Sequence, residues 1–181
     1  VVATRTVLSA SRGRLGEGIA VRTAHGAWDL TGAGREVALG VRDVVGATAA
    51  EVWSRRPIGT LPGPDAVDRL CELTGRLLAA GRATGGPAFA AMAPPFEEGG
   101  DSVPQVLMSR LGALRHHRAD AHRAAWAAAG LTAEQVRREP PRPAVEADTD
   151  RRDEPVYAAL SPSERWEFLA VLGALPDGLG S

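Results

Sequence analysis

The stretch Leu114-Arg115-His116-His117-Arg118-Ala119-Asp120-Ala121-His122 decides how this chain is read. Three of the four histidines in the 181-residue sequence fall inside it. At roughly 100° per residue, Leu107, Leu111, Leu114, Arg118, Ala121, His122, Ala125 and Ala129 share one side, and His116, Asp120 and Arg123 share another. The run is therefore a helix whose polar residues do not form a single cluster. His116 and His122 diverge by roughly 120° around the axis, so one metal ion does not take both from a regular helix, and no metal site is expected. What needs explaining is Arg118 beside His122 within a Leu/Ala stripe. A core-facing guanidinium must find carboxylate or carbonyl partners or lose hydration on the order of several kcal/mol, so the arrangement either braces the fold or lines a pocket.

Working outward, Ser102-Val103-Pro104-Gln105 reads as a capping box that starts this helix, and Gly130 ends it. Thr132 caps a short helix, Pro140-Pro141-Arg142-Pro143 breaks it, and another helix runs from Ala144 to about Arg152. On that helix Glu146, Thr149 and Asp150 form an acidic surface expected to meet Arg118 or Arg115. Ser161-Pro162-Ser163-Glu164 caps a last helix carrying Trp166, Leu169, Val171 and Leu172, which stops near Gly173.

Upstream, a helix is expected from about Pro64 to Ala80 with Gly81 as its stop. Thr84 to Asp101 reads as irregular, either a surface loop or a lid carrying Phe89, Met92 and Phe96, with Glu97 and Glu98 as acid-base candidates. Val1 to Gly18 holds a short glycine-ended helix. Ile19-Ala20-Val21-Arg22-Thr23, a turn at Ala24-His25-Gly26 and Ala27-Trp28-Asp29-Leu30 form a two-stranded hairpin. Thr31 then caps a long amphipathic helix to about Arg55, with Val37, Val41, Val44, Val45, Thr48 and Val52 near helical spacing, and Pro57 to Pro64 is a connector. The fold class is mainly α, a helical domain with a short two-stranded β-hairpin. Residues 1–56 and 57–181 are expected to form two segments sharing one core.

Composition narrows the function. The net charge of -1, from 21 basic and 22 acidic residues, gives no overall attraction to nucleic acid. Every basic residue is Arg, Lys and Asn are absent, and Ile occurs only at Ile19 and Ile58; the missing residues have AT-rich codons, which points to a high-GC, actinobacterial genome. Cys71 lies in an apolar helical run and reads as a buried structural thiol, with no disulfide framework to form. No apolar run of about 18 residues and no leader pattern is present, so a cytoplasmic protein without a membrane partner is expected.

The segment around Leu30, Thr31, Gly34 and Arg35, with Trp28 behind it, resembles the wing of MarR-type winged-helix regulators, in which a hairpin leads through Leu-Thr-x-x-Gly-Arg into a long helix. The resemblance covers about residues 5 to 55. It implies an incomplete winged helix, since the sequence holds almost nothing before this segment to supply the two earlier helices of a DNA reader. From about Leu107 to Leu175 the chain resembles an uncharacterised actinobacterial family associated with helix-turn-helix folds. Its run Leu-Arg-x-His-Arg-x-Asp-x-His is carried by Leu114, Arg115, His117, Arg118, Asp120 and His122, followed by Gly130 and Leu131, and its Glu-x-x-Thr-Asp run by Glu146, Thr149 and Asp150. It implies a shared helical fold and pocket but no established activity. The His-His-x-x-Asp-x-His run also resembles that of DinB-like metalloproteins, which take histidines from different helices, whereas here only His25 lies outside the run.

These residues point first to a small-molecule-binding protein, an enzyme or enzyme subunit of actinobacterial secondary metabolism. Arg115 and Arg118 would clamp an anionic group, with Trp126 beside them, because a guanidinium fork donates two parallel hydrogen bonds. His117 or His122 would move a proton, oriented by Asp120 or Glu146, since imidazole titrates near working pH. No Walker loop, dinucleotide fingerprint or nucleophile elbow appears, so no cofactor is expected. The alternatives are a ligand-responsive winged-helix regulator contacting DNA through Arg12, Arg14, Arg22 and Arg35, and a non-catalytic scaffold or partner subunit in a homo- or hetero-oligomer.

Overall fold

The computed structural model describes residues 18–55, 66–93, 95, 97, 101–138 and 142–175. The helix expected before Gly18, the connector after Arg55, Phe96, Glu98, Pro140 and Pro141 lie outside them. The described chain is mainly helical with one small sheet, in the order β1 (Ala20–Arg22), β2 (Trp28–Leu30), α1 (Gly32–Arg55), α2 (Ala66–Thr84), α3 (Pro87–Met92), α4 (Val103–Ala128), α5 (Ala133–Arg138), α6 (Pro143–Tyr157) and α7 (Pro162–Ala174). Helix α4 carries the opening stretch and sits at the centre, packed against α1, α2, α3 and α6, while α2 also meets α6 and α7. Leu70, Leu73, Leu77, Leu107, Val156 and Leu160 are the innermost apolar side chains of the shared core.

The hairpin pairs Ala20 with Leu30 and Arg22 with Trp28 in antiparallel register, and Gly26 closes its turn at φ +76°. Leu30, Thr31, Gly34 and Arg35 then form the joint to α1. Leu30 is buried, and the Thr31 hydroxyl accepts the Gly34 N–H at 3.1 Å and donates to Gly18 O at 2.7 Å. Arg35 donates to Leu30 O at 3.1 Å. A Cβ on Gly34 would stand 1.9 Å from the Ile19 carbonyl oxygen, so only glycine fits that closeness.

Helix α1 turns its small residues inward. Gly34, Gly46 and Ala49 are buried, and a Cβ on Gly46 would lie 2.7 Å from the Gln105 carboxamide carbon. The close approach leaves the bulkier side chains outside, so Val37, Val41, Val44 and Val45 are exposed, Val44 to 66%. Gln105 lies against Gly46, and the capping box expected at Ser102 does not form: Ser102 is the N-cap by backbone conformation, with no side-chain hydrogen bond.

Two expected helix ends move for packing reasons. Gly81 does not stop α2, which runs to Thr84; the missing side chains of Gly81 and Gly85 instead make a socket for the Phe89 ring, where a Cβ would come within 2.7 Å and 2.3 Å of ring carbons. The span expected to be irregular therefore holds α3, and Phe89 belongs to the core rather than to a lid. Helix α6 continues past Arg152 and through Pro155 to Tyr157. An interior proline costs about 3 kcal/mol, and the burial of Val156 with the hydrogen bonds of Asp153 to His117 and Arg118 in that last turn acts against it.

Helix α7 begins with the expected capping box, Ser161 Oγ accepting the Glu164 N–H and the Glu164 carboxylate accepting the Ser161 N–H at 2.9 Å. Arg69 and Arg76 of α2 hold that helix through Glu164 and Glu167, and Arg76 also donates to Ala159 O at 2.7 Å. The Arg76 guanidinium, then the Ser161 N–H, bring the Glu164 carboxyl down from 4.5 to about 2. A carboxyl with a lowered folded-state pKa stabilises fully above its unfolded value and loses that contribution as pH falls through the folded one. Glu164→Gln should therefore lower Tm at neutral pH, and the gap from the unaltered protein should close between about pH 4.5 and 2 in a thermal-melt series.

Candidate functional site

The seam between α4 and α6 gathers most of the polar residues singled out in the sequence. The helices run antiparallel, so stepping back along α4 from His122 to Arg118 and His117 moves the partner forward along α6 from Glu146 and Thr149 to Asp150 and Asp153. The acidic helix meets Arg118 as expected, Nη2 reaching Asp150 Oδ1 at 2.8 Å and Nη1 reaching Asp153 Oδ2 at 3.4 Å. Both carboxylates hold the guanidinium further into its charged form, Asp150 the more strongly.

The inner end of the seam is dry. His117 is 2% exposed and Asp153 4%. His117 Nδ1 lies 2.7 Å from Asp153 Oδ1, and Nε2 lies 2.9 Å from Thr84 Oγ1 at the end of α2. In the neutral imidazole the Asp153 carboxylate, which only accepts, places the proton on Nδ1 and leaves Nε2 to accept the Thr84 hydroxyl. Phe89 covers the imidazole edge-on, with ring centroids 5.4 Å apart. Burial and then the Asp153 charge push the nearby Tyr157 phenol up, keeping it neutral. Helices α2, α4 and α6 are thus joined by one chain of hydrogen bonds, and no buried side-chain N or O among the described residues is left without a partner.

The outer end is open to solvent. The His122 Nδ1 sits 3.3 Å from the buried Thr149 hydroxyl and 4.0 Å from Glu146 Oε1, and the ring leans on Trp126 with centroids 5.5 Å apart. No described residue engages its Nε2. Arg115, Arg118, His122 and Trp126 fall at i, i+3, i+7 and i+11 and so lie along one stripe of α4. Arg115 is exposed and pairs with no described residue.

Other candidates have different work. Asp120 orients neither His117 nor His122; it accepts the Ala88 and Phe89 N–H groups at 3.2 and 2.8 Å and so caps α3, with Arg123 at 3.3 Å on its outer side. Gly86 makes room for it, since a Cβ there would meet its carboxyl carbon at 2.8 Å. His116 folds back onto its own helix, Nδ1 lying 2.7 Å from Gly112 O. Glu97 grips Arg110 through both oxygens, and Arg110 donates in turn to Cys71 O at 2.6 Å. Cys71 is buried, and burial pushes its thiol up, away from the reactive thiolate. Among the described residues no group of three or more His, Cys, Asp or Glu side chains could hold a metal ion.

Asp153 and Thr84 are the site residues that sequence reasoning missed. Ending α6 at Arg152 hid the spacing Glu146, Thr149, Asp153, which at i, i+3, i+7 forms the stripe that faces α4. Ending α2 at Gly81 left Thr84 in a supposed loop. Among the described residues no helix is long and apolar enough to cross a membrane. No family model matches the chain, and comparison with curated proteins and with solved structures likewise finds no match.

Removing Asp153 strands a buried imidazole and half of a guanidinium. Asp153→Ala should cost about 1–3 kcal/mol, the usual effect of leaving a buried donor unpaired, measured by urea unfolding. Asp153→Asn, which still offers an acceptor to Nδ1, should recover part of it.

Proposed function

We propose that this protein binds a small organic molecule at the outer end of the α4–α6 seam, along the stripe of Arg115, Arg118, His122 and Trp126 with Glu146 facing them. One observation carries the reading. His122 Nδ1 lies 3.3 Å from the Thr149 hydroxyl with Glu146 at 4.0 Å, and the ring rests on Trp126, while its other nitrogen meets no described residue. A fixed imidazole with one nitrogen free beside an aromatic surface suits a ligand that stacks on the indole and shares a hydrogen bond or a proton with the ring. Arg118 already carries two carboxylates, so an acidic group on the ligand is met chiefly by Arg115. We read the site as belonging to an enzyme or enzyme subunit of actinobacterial secondary metabolism; the arginine-only, Lys- and Asn-free composition supports the high-GC genome in that reading and bears on nothing finer.

A second reading, a partner subunit, is favoured by the exposed valines of α1, since bulky apolar residues turned outward along one helix commonly mark association surfaces. DNA binding has less support. Arg35 is engaged with Leu30 O, Arg22 lies over the Trp28 ring with its guanidinium 6.0 Å from the centroid, and Arg12 and Arg14 lie outside the described residues.

Native mass spectrometry of the protein purified gently from a high-GC bacterial host tests the proposal. A retained organic mass is expected, lost or bound at least about tenfold more weakly in His122→Ala and Arg115→Ala. Each variant should melt near the unaltered protein, because substitutions at exposed or half-exposed positions stay within about 0.5 kcal/mol. An empty protein, or a mass retained equally by both variants, would overturn the seam as the binding site.

A further inference from the structure

Thr84 stands in an arrangement that the seam reading does not use. The other threonines that reach the core, Thr74 and Thr149, donate their hydroxyls to their own helices, at Leu70 O and Val145 O. Thr84 does not; its Oγ1 lies 2.9 Å from His117 Nε2, with Asp153 Oδ1 2.7 Å from the opposite ring nitrogen and Arg118 behind the second carboxylate oxygen. Hydroxyl, imidazole and carboxylate thus stand in series, contributed by α2, α4 and α6. Histidine and aspartate are buried, whereas Thr84, at the C-terminal end of α2 before Gly85 and Gly86, is exposed. A hydroxyl bonded to a base whose tautomer is fixed by a carboxylate is the activated-nucleophile pattern, and it is recognised by geometry rather than by sequence order.

We infer that Thr84 is an acyl acceptor, activated by His117 and Asp153, toward small activated carboxylic esters. Its Oγ1 forms a bond to the ester carbonyl carbon as its proton passes to His117 Nε2. The carbon–oxygen bond to the leaving alcohol then breaks, and that alcohol departs with the proton from Nε2. A water molecule reverses the sequence on the acyl-threonine, giving the carboxylic acid and free Thr84, so one ester and one water yield one acid and one alcohol. Asp153, 2.7 Å from Nδ1, orients the ring and steadies the imidazolium. The inference goes beyond the seam proposal and does not rest on it, because it uses neither His122 nor Trp126.

The test is p-nitrophenyl acetate with the full chain, read by nitrophenol release and by intact and peptide mass. The unaltered protein should release nitrophenol about 100-fold or more faster than Thr84→Ala, within the range general-base assistance supplies, and any trapped acetyl group should map to Thr84. Thr84→Ser should keep the activity, since it keeps the hydroxyl beside His117 Nε2. Thr84→Ala leaves the buried His117 Nε2 without its partner and should lower Tm, whereas Thr84→Ser restores the hydroxyl, so melting curves confirm that both variants are folded at the assay temperature. Equal rates in the unaltered protein and Thr84→Ala, or an acetyl group mapping elsewhere, would overturn the inference.

Discussion

The fold depends on how one buried imidazole is satisfied. His117 lies buried in the middle of the central helix, and a ring nitrogen left unpaired there would cost on the order of 1–3 kcal/mol. Asp153 and Thr84 supply its two partners, from α6 and α2 respectively. Because Asp153 is itself buried, it requires Arg118 in turn, and Arg118 draws in Asp150. Each group offsets the desolvation of the one before it, and the helices that carry them are thereby fixed in register.

The other residues of the opening stretch extend the same logic to other neighbours. Leu114 enters the apolar core, Asp120 satisfies the first amides of α3, and His122 meets Thr149. Asp120 and Phe89 act together: the aspartate anchors the start of α3, and the ring, seated on Gly81 and Gly85, covers His117. The Leu114–His122 run on α4 and the Glu146–Asp150 run on α6 are the two sides of a single interface. The polarity of that interface is graded, dry at His117 and wet at His122. The same helix pair thus braces the core at one end and presents polar side chains to solvent at the other.

A second constraint acts at the other end of the molecule. The approach of α1 to the hairpin and to α4 is set by Gly34 and Gly46, where any side chain would collide with Ile19 O or Gln105. The same closeness turns the valines of α1 toward solvent and takes Gln105 away from the cap it was expected to make. Ala and Gly, abundant in the sequence, thus serve as spacers that decide which face of a helix is hidden.

Local rules reached a good part of this architecture. The hairpin, its joint at Thr31, the span of α4 with its end at Gly130, and the Ser161 capping box follow from residue types and their spacing, because each is formed by atoms within a few positions of one another. The pairing of the acidic helix with Arg118 was legible too, since a guanidinium in an apolar stripe demands a carboxylate. What only the tertiary structure decided are the features in which a distant partner outweighs a local signal. Proline did not end α6, because Val156 is buried beyond it, and glycine did not end α2, because Phe89 fills its place. Asp120 went to α3 rather than to a histidine, and α1 showed its valines to solvent. In each case the deciding contact is made by a residue far along the chain, and spacing within one helix carries no information about it.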